Sequence, residues 1–600
     1  MPTLAEGVAP GERATFNPRM SPPSGTPGLA MRILNLIEVL GNKLPTPTTL
    51  FIIFILMVIP LSHIAATNGW RVMAVEPKAV LDADGKPIVN PSTGRPKIEL
   101  APQHVTEVRP VRDEGGHPVI DASNKLVTEV VVTDKPREIV ARSLLSADGI
   151  YHIASTMVFN FINFAPLGIV ISVLLGVAIA EKTGLIAALL RSASPFVPRA
   201  LVTPALVFLG TMSSVASDSG YVILPPLAAA LFISAGRAPL AGIAAVFAGI
   251  AGGFSANLFL TGIDPVMASL STNAARTIAP AYVVQPTATW FFAASSGVIL
   301  AIAGWAVTAW VTEPRLAKDP ETSGSGVAIP QERLSAAERR GVMFAILAMV
   351  AILGLFFACI FVPGWPLHGT GASAPRADGR IDTVDRWSVA IVPTMFLIFL
   401  IPGLLYGIVT GAIKGEKDVM RMMSQSVGEV APIIVLAFFA GQFIDYIKYS
   451  RLDQMMAMTG GSALASLDMH WALLIVLFIL LTIALDFFVS SMSAKYTMMA
   501  PIFVPMFMLI GLAPELTQAA YRVADSVVNM ITPLNAYLII ILAVVQKYRP
   551  TAGMGTILSL MIPYSITFTI VWTVWLLIWV SVGIPLGIDS NLWYHPTPLP

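Results

Sequence analysis

The chain has 600 residues, 55% of them hydrophobic and only 12% charged, with a formal net charge of +1. Soluble domains carry about 25% charged residues, so a soluble globular protein is excluded, and the near-neutral balance leaves no electrostatic footprint for nucleic acid. The single cysteine, Cys359, lies in an apolar run, excludes an intrachain disulfide and reads as a small core residue.

In chain order, residues 1–46 are polar and rich in Pro and Gly and read as a cytoplasmic segment. The run TLFIIFILMVIPLSHIAA follows. It is about one bilayer span long and no small-residue cleavage site comes after it, so 47–67 is expected to be a retained transmembrane helix. Residues 68–150 form a polar insert outside the membrane. Its short Val/Thr/Ile stretches between turn residues fit either a small β-rich subdomain or a partly ordered loop. Beyond it come a first transport repeat (151–315), a cytoplasmic loop (316–340), two further spans (341–425), a second repeat (426–585) and a periplasmic tail (586–600).

Spans are expected near 48–67, 156–181, 238–262, 288–311, 341–362, 388–410, 427–449, 517–546 and 556–583. Re-entrant hairpins are expected at 198–235 and 471–512. The fold class is therefore an all-α polytopic membrane protein, with about nine transmembrane helices and two opposed helical hairpins in an inverted repeat, plus a small extracytoplasmic insert. Loop charge orients it. Arg13, Arg19, Arg32 and Lys43 lie on the N-terminal flank, and short loops carry Arg191 and Arg199, Arg339 and Arg340, Lys414 and Lys417, and Lys547 and Arg549. All fall on one side if the N-terminus is cytoplasmic and the C-terminus periplasmic.

The repeat rests on three matches in the same order. APLGIVISVLLGVAIAEKTGL begins at Ala165 and APIIVLAFFAGQFIDYIKYSRL at Ala431, each with a lysine (Lys182, Lys448) at the same distance. Each is followed by a serine-rich break, Ser213–Ser214 and Ser490–Ser491, and then by a helix interrupted by polar residues, GGFSANLFLTGIDP or RVADSVVNMITP. Broken membrane segments in corresponding halves mark a secondary transporter.

Unwound backbone at bilayer depth must line a cavity or be buried in protein. Ser213, Ser214, Ser490, Ser491 and Ser493 at the hairpin tips are thus candidate site residues, with Asn257 after the glycine break. Arg522 and Asp525 lie three apart on one helix face, and a charge at bilayer depth costs at least about 2.5 kcal/mol on insertion scales. They read as a holder of a substrate anion and a titrating carboxylate. Asn529 continues that face, and Thr532–Pro533 can interrupt the helix. Asp218 reads either as a proton carrier or as a cap. Asp486 is either a coupling-ion ligand or the partner of Lys495, and Tyr496 either lines the site or packs. Asp264 reads as a turn or interfacial residue, and His152 and His470 as interfacial. A sodium ion is expected near Asn257, Asp486 and Asn529 if the coupling ion is not a proton; no cofactor is expected. No HExxH, GxSxG or Cys/His cluster suggests an enzyme.

The strings GNKLPTPTTLF, EKTGLI, SDSGYVILPPLAA, GGFSANLFLTGIDP, SAKYTMMAPIFVPM and AYRVADSVVNMITP resemble the AbgT family of bacterial transporters, from about residue 41 to past 530. The resemblance implies a bowl-shaped homodimer in the bacterial inner membrane. It also implies proton- or sodium-coupled movement of p-aminobenzoyl-glutamate or export of sulfonamide-like antifolates, hence a small-molecule partner with an aromatic amine and an anionic group. The family's functional positions fall on Asp218, Ser493, Pro514, Arg522, Asp525 and Pro533. Two positions depart: Tyr496 stands where the family usually has tryptophan, and Asp486 where it has asparagine. A sodium-coupled carboxylate importer is the alternative transporter reading, and an intramembrane hydrolase using Asp218 and Asp525 the enzymatic one.

Overall fold

Without water, every backbone N–H and C=O needs a partner inside its own segment, so long apolar runs have no alternative to helix. The computed structural model describes residues 47–80, 88–91, 97–110, 128–193, 201–216, 219–317, 334–372, 383–429, 431–489, 491–532, 535 and 537–596. Among these, six helical stretches are long and apolar enough to cross a bilayer: Pro47–Thr67, Ala147–Lys182, Trp290–Leu316, Ala336–Phe361, Ile391–Thr410 and Met554–Val582. The chain is a mostly helical, multi-pass membrane protein.

Nine helices build or frame the site: α1 (Val202–Met212), α2 (Ser219–Ser234), α3 (Ile263–Ala275), α4 (Trp290–Val307), α5 (Trp471–Asp486), α6 (Met492–Leu509), α7 (Pro514–Val528), α8 (Tyr537–Gln546) and α9 (Met554–Val582). Their ends follow local chemistry. His470 and Ser491 cap α5 and α6 with their side chains, Pro514 opens α7, and Gly583, at φ 77°, closes α9 in the left-handed region. In the insert, Arg71–Met73 pairs with Glu138–Val140, Val75–Ala79 with Ile98–Pro102, and His104–Pro110 with Thr128–Pro136, all antiparallel.

Contacts between chain ends sort the loops onto two faces. On one, Arg142 N–H donates to the Ser450 carbonyl, Asn90 reaches Asp468, and the Trp471 ring packs on Trp593 at 6.0 Å. The tail continues this face: Leu512 bridges to Trp593, Ala513 N–H donates to the Leu592 carbonyl, and Phe292 N–H donates to that of Leu586. On the other, Arg191 pairs with Glu338 at 2.8 Å and Arg237 with Glu313 at 2.7 Å, while Arg315 donates to the Ser559 carbonyl. The two ends of the α5–α6 unit, Trp471 and Leu512, therefore meet the same tail residue. Its arms lie side by side, with the Phe478 ring 5.2 Å from both Phe503 and Phe507.

Three expected spans have different bounds. The helix expected at 156–181 begins at Ala147 and is interrupted at Asn163–Phe164, because Pro166 removes a backbone donor there. The segment 238–262 is a helix to Phe247, a wider turn over Ala248–Gly252, and then irregular chain. Residues 517–546 are α7, ending at Val528, and α8, beginning at Tyr537, with a break between them.

Close backbone packing holds α1 against the helix that ends at Phe247 and the turn after it: a Cβ at Gly210 would lie 2.7 Å from the Val246 carbonyl oxygen and 2.9 Å from Ile250 N. Gly210→Leu is expected to destabilise the protein by about 1–3 kcal/mol or more by overpacking, read as a lowered thermal midpoint in detergent. At the tail face, burial and the neighbouring Asp385 carboxylate, charged and hydrogen-bonded to it, push the Asp589 carboxyl above its ordinary range. A folded-state pKa raised above the unfolded one means that this contribution to stability is full below the unfolded value and lost as pH rises through the folded value. Asp589→Asn, which tolerates the φ of 51° there, is expected to raise the thermal midpoint at pH 7 and leave it unchanged near pH 3.

Candidate functional site

α7 has the sequence PELTQAAYRVADSVV, and all 15 of its residues are buried. A helix with seven polar or charged types among these positions would normally face water; here it is enclosed by α3, α5, α6 and α9. Its charges must therefore find partners from other segments.

Arg522 and Asp525, one turn apart, do not pair with each other. Arg522 Nη1 lies 2.6 Å from Asp264 Oδ1, at the start of α3. Asp264 Oδ2 accepts the Thr261 N–H at 2.5 Å and the Thr261 hydroxyl at 2.9 Å. The expectation of a turn residue at Asp264 is thus extended: it closes the turn at Thr261, in the first turn of α3, and also serves as counter-ion to Arg522. Nothing in its local sequence revealed the second role, because the partner is far along the chain.

Asp525 Oδ1 is 2.8 Å from the Lys495 ammonium, which also pairs with Asp486. All three side chains are 0% exposed. Of the two readings of Asp486, the geometry is that of a Lys495 partner. The hydroxyl-rich break creates this meeting: Ser491 caps α6, so Lys495 sits in the first turn beside the end of α5, where Asp486 lies. The Tyr521 hydroxyl lies 2.6 Å from the Met492 carbonyl oxygen and 3.1 Å from Asp525 Oδ1, tying the break to α7.

Aromatic groups wall the same region. Tyr496 is fully buried, its hydroxyl 2.7 Å from Ser271 Oγ and its ring 4.6 Å from that of Tyr521. Ser271 Oγ also reaches Gln518 at 3.4 Å. At the N-terminal end of α7, the Tyr282 hydroxyl lies 3.1 and 2.9 Å from the two Glu515 carboxylate oxygens. Ser271, Gln518, Tyr521 and Glu515 were not singled out by sequence. The only available signal was their place on or beside a helix too polar for its burial.

The remaining expected residues divide. Ser214 donates to Asn257 Oδ1 at 2.5 Å, linking the first break to the polar turn before α3, and Ser213 bonds the Gly210 carbonyl. Pro514 opens α7, the Ser493 carbonyl accepts from Thr497, and the Asn529 carbonyl accepts from Asn535. Asn257, Asp486 and Asn529 thus engage separate partners. Asp218, Ser490 and Pro533 lie outside the described residues. His152 is held by Asp445 at 2.7 Å and stacks on Tyr449, whereas His470 caps α5.

The sequence pattern of the AbgT putative transporter family matches residues 118–594. The chain belongs to the AbgT family. Among curated proteins, the p-aminobenzoyl-glutamate transport protein of Escherichia coli (strain K12) is 30% identical over 534 residues, covering 88% of this chain and 91% of that one. Solved AbgT structures match as well. The YdaH transporter of Alcanivorax borkumensis, described as having an unusual topology, is 33% identical with a TM-score of 0.72, covering 90% of this chain and 100% of that one. MtrF of Neisseria gonorrhoeae, described as illuminating a class of antimetabolite efflux pumps, is 37% identical with a TM-score of 0.74, covering 93% and 100%. This AbgT chain is accordingly a membrane transporter and not an enzyme.

Removing one partner of a buried ion pair costs about 3–5 kcal/mol, since it leaves an uncompensated charge. Lys495→Met is expected to destabilise this AbgT protein by about that amount, and Asp486→Asn in the same background to restore part of it, both read by thermal unfolding in detergent. An unchanged midpoint in Lys495→Met would show that the triad carries no such charge.

Proposed function

We propose that this protein is an ion-coupled secondary transporter that moves p-aminobenzoyl-glutamate, or exports sulfonamide-like antifolates, by alternating access across the bacterial inner membrane. In this reading it works as a homodimer, N-terminus cytoplasmic and C-terminus periplasmic. The α1–α2 and α5–α6 units are the opposed re-entrant hairpins of an inverted repeat. The observation that carries the reading is the set of buried charges around α7: an arginine beside a triad of Asp486, Lys495 and Asp525. Charges at this depth are costly and mark substrate and ion pathways.

Arg522 holds the anionic group of the substrate, with Tyr496, the tip serines and the polar breaks lining the path. The coupling ion is a proton. One ammonium between two carboxylates leaves the triad one negative charge in excess, and a single proton taken up by one of the two removes it. A sodium ion there would meet the Lys495 ammonium, which already occupies the position between the carboxylates. Asp218 serves as a second proton carrier at the first break.

In proteoliposomes, p-aminobenzoyl-glutamate or sulfamethazine is expected to move under an imposed proton gradient and not under a sodium gradient alone. Asp525→Ala is expected to abolish the gradient dependence. Flux of neither compound would sink the substrate assignment, and normal coupled flux in Asp525→Ala would remove that residue from the coupling role.

A further inference from the structure

Arg522 engages Asp264 through Nη1 alone. Its Nε and Nη2 have no hydrogen-bond partner among the described residues, although the side chain is only 4% exposed. These two N–H groups share one edge of the planar guanidinium and point the same way, a geometry that matches the two oxygens of one carboxylate. An unpaired buried donor is costly, so this edge is suited to an acceptor that the protein does not itself supply. One turn further along α7, Ser526 Oγ is likewise buried and without a partner among the described residues.

Asp264 cannot follow the arginine. Its second oxygen is fixed by the backbone and hydroxyl of Thr261, at the start of α3. The guanidinium is therefore aimed by a group anchored on a different helix from its own.

We propose that Asp264 is a positioning residue that sets substrate specificity: by holding Nη1 it turns the Nε–Nη2 edge of Arg522 toward the planar carboxylate of an incoming substrate. This rests on the reading of Arg522 as the substrate's anion site. Because Asp264 already neutralises the arginine, the preference for a carboxylate comes from two parallel hydrogen bonds and not from an isolated buried charge. A neutral amide isostere places a donor against one of the two donors and is disfavoured.

The test is calorimetric binding of 4-aminobenzoate and 4-aminobenzamide to the purified full-length protein in detergent. The natural protein is expected to favour the carboxylate by about tenfold or more, the range of hydrogen bonds to charged groups. Arg522→Lys, which keeps the charge but loses the fork, is expected to lose most of that preference. Asp264→Ala should lose it too while 4-aminobenzamide binding stays within about twofold, and Asp264→Asn, whose single acceptor oxygen cannot serve both Nη1 and the Thr261 N–H, should lose part of it. Equal weakening of both ligands in Asp264→Ala, an undiminished preference there, or no preference in the natural protein overturns the proposal. A retained carboxylate preference with no gradient-driven p-aminobenzoyl-glutamate flux would count against the transport assignment alone.

Discussion

Charge pairing in a medium that cannot solvate charge governs this molecule. Arg522, Lys495, Asp264, Asp486 and Asp525 are all under a tenth exposed. Each must meet an opposite charge supplied by a different helix, which determines where the chain can be regular and where it must break. Asp264 reaches Arg522 because the chain before α3 is irregular and Thr261 anchors it. Lys495 reaches two carboxylates because the break after Asp486 turns α6 back along α5. The breaks are thus consequences of the charges as much as hosts for them.

The same pairing ties the two parts of the protein together. α3, from the first half, provides the counter-ion for a residue on α7 in the second, and Ser271 on α3 bonds Tyr496 on α6. A displacement of α3 relative to α7 therefore has to break a buried ion pair or replace it with another anion. The tail closes one end of this arrangement, since Trp593 touches both the entry to α5 and the exit from α6. Small residues let helices in the first half approach closely, as at Gly210.

Two positions that the sequence reading marked as departures from the family both lie in this site. Tyr496 supplies an aromatic wall and a hydroxyl, and that hydroxyl is bonded to Ser271. Asp486 adds a carboxylate that would be prohibitive alone; beside Lys495 it becomes one arm of a triad. The Tyr496 hydroxyl is thus paired within the site, whereas Asp486 engages Lys495 through Oδ1 and its Oδ2 has no hydrogen-bond partner among the described residues.

Membrane class, the presence of broken helices in both halves and the burial of charges at Arg522 and Asp525 were legible in the sequence. Each rests on a local property: long apolar runs permit only helix, hydroxyl-rich breaks interrupt it, and a charge inside such a run is too costly to be idle. Span bounds were less legible at 147–182 and 517–546, where proline and polar residues end helices within runs that look continuous. Partner choice was legible only at Asp486 and Lys495, which lie close along the chain on either side of the break. One helical turn put Arg522 and Asp525 on one face without naming their partners, and tertiary packing sends one to Asp264 and the other to Lys495. Spacing along a helix says which side chains share a face, but only the packing of other helices decides which charges that face meets.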